Sequence, residues 1–107
     1  MTKYEKRLIQ LVNILQGFNP EIVYAYGSWV WGKAREDSDI DLMMVVKEGI
    51  DTLTIKQEIE SKLFDSGYPY DLRPDIHVVE KNVFEYRLTK GDPFISDVAK
   101  GKIVYVQ

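Results

Sequence analysis

Residues 27–41 read GSWVWGKAREDSDID, preceded by IVYAY at 22–26 and followed by LMMVV at 42–46. Both flanks are short apolar runs rich in β-branched or aromatic residues, so each reads as a strand, the second running over 39–46. A glycine and a serine at the end of the first strand can present a backbone amide and a hydroxyl to a phosphate. Asp39 and Asp41 stand two apart on the second strand, which points both side chains to one face. Two carboxylates on one face repel each other unless a cation lies between them. Hard oxygen donors of this kind suit Mg²⁺, which takes one or two carboxylates and completes its shell with water and substrate phosphates. A phosphate cradle beside such a pair is the equipment of phosphoryl or nucleotidyl transfer. The bland alternative for Asp39-Ile40-Asp41 is a strand edge whose charges discourage aggregation. Gly27-Ser28 alone would carry little, because such dipeptides are common in turns. The two features at this spacing favour the catalytic reading.

The segment resembles the minimal nucleotidyltransferases, relatives of the DNA polymerase beta palm that include antitoxins of the MntA type. Their signature is Gly-Ser, about ten residues, then Asp-x-Asp, and Gly27, Ser28, Asp39 and Asp41 fall on it without a gap. Gly32, Ala34, Arg35, Ser38 and Leu42 also match the family in those places. The likeness is specific over 27–46 and weak elsewhere, although it runs the length of the chain. It implies a Mg²⁺-dependent enzyme, with two ions, that transfers AMP from ATP to a hydroxyl. It further implies a small helical partner of the HEPN type, modified on a tyrosine as the toxin of a toxin–antitoxin pair.

Working outward, the 107 residues make one domain with an adequate core. Fourteen basic and seventeen acidic residues give a net charge of −3, which argues against a bulk nucleic-acid binder. Only local positive charge is needed for a nucleotide site. The absence of cysteine rules out disulfides and thiolate metal sites. No apolar run approaches a membrane span and the N-terminal MTKYEKRL lacks a signal-peptide core, so the cytoplasm is the expected compartment.

Tyr4, Leu8, Leu11, Val12 and Leu15 recur at helical spacing, predicting a helix over 3–16 closed by Gly17 and Pro20. A short helix is expected to begin within 28–34, with its N-terminal amides toward the phosphates. A second helix is read over 52–65, a third strand over 75–79 and a helix over 81–90. Asp92-Pro93 opens another helix ending at Gly101, and a last strand covers 102–106. This order predicts an α/β domain of two layers, a mixed sheet with helices packed on one face and the acids on the other.

Nucleotidyl transfer by two metals commonly wants a third carboxylate. Asp75 is favoured, because it starts an apolar strand and precedes an aliphatic residue, as the third acid of the family does. Asp71, in the preceding loop, is its rival. Lys33 and Arg35 lie between cradle and carboxylates, and Arg35 is preferred as a triphosphate contact from the resemblance. His77 shares a strand face with Asp75 and reads first as a half-buried strand residue. Trp29 and Trp31 serve packing at least as well as base stacking, and Tyr24, Tyr26, Tyr68 and Tyr70 are mostly core or loop fill. Two further readings stand beside the enzyme acting on a protein: a subunit that neutralises its partner by contact alone, and transfer to a small molecule. Base preference, acceptor and any homo-oligomer are not legible.

Overall fold

The computed structural model describes residues 1–107. Its elements run α1 (Lys3–Gln16), β1 (Ile22–Tyr26), β2 (Ile40–Val46), α2 (Thr52–Asp65), β3 (Pro74–Glu80), α3 (Lys81–Thr89), α4 (Pro93–Ala99) and β4 (Lys102–Val106). Three of the four helices, α1, α2 and α4, start at side-chain caps. Thr2 accepts from the Glu5 amide while Glu5 reaches back to the Thr2 amide, closing a capping box on α1. Asp51 caps α2 and Asp92 caps α4, with Pro93 at its first turn.

The four strands lie in the order β3-β2-β1-β4. β1 pairs antiparallel with both β2 and β4, whereas β2 and β3 run parallel because α2 carries the chain back between them. The sheet is therefore mixed, as expected. Alternation divides its side chains between two cores. Val23, Ala25, Leu42 and Met44 face Leu11 and Leu15 of α1 and Ile59 and Leu63 of α2. Tyr26, Met43 and Val45 point the other way, toward Phe84 of α3 and Ile95 and Val98 of α4. Removing a fully buried leucine such as Leu42 leaves a cavity that costs about 2–5 kcal/mol.

The expected helical layer is formed by α1 and α2. That expectation did not include the second pair, α3 and α4, which stand on the acid-bearing face because Met43, Val45 and Val79 also need cover. Two local expectations are corrected. The segment after β1 forms hydrogen-bonded turns rather than a helix, with the Val30 and Trp31 amides both donating to the Gly27 carbonyl at 3.1 Å. Left-handed backbone at Gly27 and Gly32, φ +83° and +70°, breaks any helical run there. Asp39 precedes β2, whose pairing with β3 begins at Ile40 opposite Pro74. No helix is long and apolar enough to cross a membrane.

Candidate active site

Where β1 ends, the chain turns sharply against β2. A side chain at position 27 would overlap the Asp41 carboxylate, and the backbone there is left-handed, so only glycine fits the contact. The turn folds back on itself through the Gly27 and Ser28 carbonyls, the latter accepting from Lys33 at 2.9 Å. The amides of Gly27, Ser28 and Trp29 donate to no protein acceptor. Successive free N–H groups in such a turn form a concavity suited to an anion.

Asp41 lies on β2 with Tyr26 beside it on β1 and Asp75 beside it on β3. Parallel register puts both carboxylates on one face. Partial burial, then the charges of Asp75 and Asp39, push the Asp41 carboxyl up to about 6, and a hydrogen bond shared with Asp75 adds to the rise. Its own partial burial, then the charges of Asp41 and Asp75, raise the Tyr26 phenol above its ordinary value. Asp39 is exposed in the loop before β2, and no three acidic or histidine side chains converge as a ready-made metal cage. Neither Asp39 nor Asp41 has a basic partner, and the basic side chain beside Asp75 is His77, Nε2 to Oδ1 at 3.5 Å. A set of hard oxygen donors short of positive charge fits Mg²⁺ by its chemistry.

The rival acid has a different fate. Asp71 is gripped by Arg7 of α1, whose Nε and Nη2 donate at 2.7 and 2.9 Å. That hydrogen bonding holds the Asp71 carboxyl down at about 2. It is a structural tie between α1 and the loop entering β3.

The remaining sequence candidates separate clearly. Lys33 and Arg35 are exposed, and Arg35 meets the loop through its amide, which donates to the Ser38 hydroxyl at 2.7 Å. His77 packs edge-on against Phe94 at 5.5 Å, and Phe94 packs in the same manner against Tyr26 at 5.6 Å. Phe94 thus joins the aromatic margin of the acid face, a position that no local pattern signals. Trp29 stacks on Tyr4 and Trp31 is exposed. Tyr68 donates to the Leu72 carbonyl and Tyr24 stacks on Phe84, both packing roles. On the acid face, the Asp75 and His77 side chains remain about half exposed. Two concavities of about 340 Å³ lie elsewhere, between α2 and β3 and between α1 and β4.

A family model described as polymerase beta, nucleotidyltransferase, matches residues 9–105. Among solved structures, the chain is similar to a Sulfolobus solfataricus protein assigned as a nucleotidyltransferase. The two share 19% identity over 95% of this chain and 79% of that one, with a TM-score of 0.59. A toxin–antitoxin structure with AMP-PNP is 22% identical over 96% of this chain and 73% of its own, at a TM-score of 0.60. A mutant of the toxin–antitoxin MntA-HpeT, with two aspartates changed to glutamate, is 17% identical over 92% and 72%, at 0.53. At these identities the structures speak for the fold. No curated protein matches the chain.

Proposed function

This chain belongs to the polymerase beta nucleotidyltransferase family, and from that premise we propose that it transfers AMP from ATP to a hydroxyl on a protein partner. The observation that carries the reading is the Asp41–Asp75 pair set directly against the Gly27 turn. Asp39, Asp41 and Asp75 would hold Mg²⁺, two ions in the usual form of this chemistry. When bound, the metal neutralises phosphate charge and lowers the cost of both attack and departure. Gly27 admits the phosphates to the backbone, where the free amides of 27–29 and the Ser28 hydroxyl bind the outer phosphates. Arg35 lies on the adjoining loop and adds positive charge to that end. Asp75, at the sheet edge, orients the acceptor hydroxyl and takes its proton. The acceptor oxygen bonds to the α-phosphorus, the bond to the β-phosphate bridge breaks, and pyrophosphate leaves.

The toxin–antitoxin structures among the neighbours support a partner that is itself a toxin. We assign that partner to the small helical HEPN type, with a tyrosine as the acceptor. A reaction that draws on ATP belongs in the cytoplasm. Mass spectrometry tests the reading. A small helical toxin that binds this chain should gain one AMP in the presence of ATP and Mg²⁺, and none when Asp41→Asn replaces the wild type. Equal modification by both proteins would show that Asp41 is not catalytic. Tight partner binding without modification by either would favour a subunit acting by contact alone.

A further inference from the structure

Trp29 is half-buried, but its polar edge is spent on one specific bond. Its indole Nε1 donates to the Ser38 carbonyl at 2.8 Å. Its ring stacks on Tyr4 with centroids 4.9 Å apart and planes 17° apart. Tyr4 lies in the first turn of α1, which the Thr2–Glu5 capping box holds closed. Ser38 is in turn the knot of the loop before Asp39. Its amide donates to the Arg35 carbonyl at 3.1 Å, and its hydroxyl accepts from the Arg35 amide at 2.7 Å. On the far side of Asp39, the Ile40 amide donates to the Arg73 carbonyl at 2.8 Å, one residue before the start of β3. Asp39 is thus exposed and free of partners, yet its backbone is pinned on both flanks. One pin is the ordinary start of the β2–β3 ladder. The other is a tryptophan side chain.

We propose that Trp29 is a positioning residue: its indole N–H fixes the Ser38 carbonyl against α1 and so presets Asp39 for the metal it shares with Asp41 and Asp75. The proposal rests on the assignment of Asp39 as a metal ligand. An exposed loop carboxylate without such a tie would have to be ordered at the moment of binding, at a cost in conformational entropy. Groups that orient a ligand from behind typically govern metal affinity by about 10-fold or more.

Trp29→Phe retains a six-membered ring for the Tyr4 stack and removes the donor together with the pyrrole part of the indole, so the readouts below separate loss of the donor from loss of packing. The probe is Mn²⁺, read by its electron paramagnetic resonance signal with AMP-PNP at saturation, for wild type, Trp29→Phe and Asp39→Asn. Trp29→Phe should weaken Mn²⁺ binding by about 10-fold, a larger factor than any loss in AMP-PNP binding measured without metal, which meets residue 29 through its backbone amide alone. Asp39→Asn should weaken Mn²⁺ binding at least as much. A second readout needs no variant. The Trp29 indole proton should exchange with solvent far more slowly than that of Trp31, a residue 44% exposed whose indole N–H has no acceptor in the protein. Wild-type Mn²⁺ affinity in Trp29→Phe, with affinity lost in Asp39→Asn, overturns the positioning role and leaves the metal assignment standing. Unchanged affinity in Asp39→Asn overturns the assignment and this inference with it. Equal loss of metal-free AMP-PNP binding in Trp29→Phe, or equal exchange of the two indole protons, reduces Trp29 to packing.

Discussion

Asp71 and Asp75 stand four residues apart, yet the fold gives them opposite surroundings. Asp71 has its own guanidinium, Arg7, brought from 64 residues away, and its carboxyl sits at about 2. Asp75 has another carboxyl, Asp41, which partial burial and the neighbouring acids push up to about 6. A satisfied acid is finished: it ties a loop and contributes to stability. The acid pair is left short of positive charge, a condition that a protein tolerates where a cation or a proton is meant to come and go.

The comparison breaks most sharply on activity. Asp41→Asn removes charge from the pair while keeping its shape, so AMP transfer should fall by orders of magnitude with the fold intact. Asp71→Asn should leave transfer within a few-fold of wild type. Pyrophosphate release measured on both proteins decides this, and a comparable collapse in the two would erase the distinction. Gly27→Ala comes next. The added methyl overlaps the Asp41 carboxylate and forces a left-handed backbone on alanine, a strain of about 1–3 kcal/mol. The thermal midpoint should drop and AMP-PNP titration should show weakened binding. A variant that melts and binds as wild type would show that the turn has room to spare.

The dependence of stability on pH sharpens the same contrast with a smaller effect. The Asp41 carboxyl is raised in the folded protein, so its contribution is largest below the ordinary value near 3.8 and declines as pH climbs through about 6. Asp71 runs the other way: its contribution is full above 3.8 and is lost as pH falls toward 2. Thermal midpoints recorded from pH 3 to 8 should therefore change in Asp41→Asn by flattening the segment around pH 4–6. In Asp71→Asn the change should fall at the acid end. Mg²⁺ should abolish the first slope, because a bound cation favours the ionised Asp41. If neither segment moves, the two acids are equivalent. Smallest of all is Arg7→Leu, which returns Asp71 toward an ordinary carboxyl. An ion pair at the surface contributes little, so the midpoint should fall by no more than about a few degrees, with transfer unaffected. Loss of activity here would mean that the loop entering β3 depends on this tie to hold Asp75 in place.

Much of the fold was legible because its signals are local. Periodicity of 3.6 marked α1 and α2 to the residue, and alternation at 75–79 marked β3. Asp92-Pro93 announced α4 through cap chemistry alone. The short helix expected after Gly27 failed for a local reason as well: two glycines in left-handed backbone turn the chain before a helix can propagate. Gly17 closes α1 as read, but in right-handed backbone, and the left-handed residue is Asn19 two positions on.

The sequence by itself determined the family signature, the strands that carry it and the types of side chain available for the chemistry, since all of these depend on neighbours in the chain. Only the tertiary structure decided which acid lies beside Asp41. That choice turns on the parallel register of β2 and β3 and on Arg7 reaching across from α1. It also decided that α3 and α4 cover the far end of the acid face, that Phe94 joins Tyr26 and His77 there, and that Trp29 secures the loop before Asp39. Each of these is a contact through space between residues far apart in the chain, and such contacts leave no periodic trace in a single sequence.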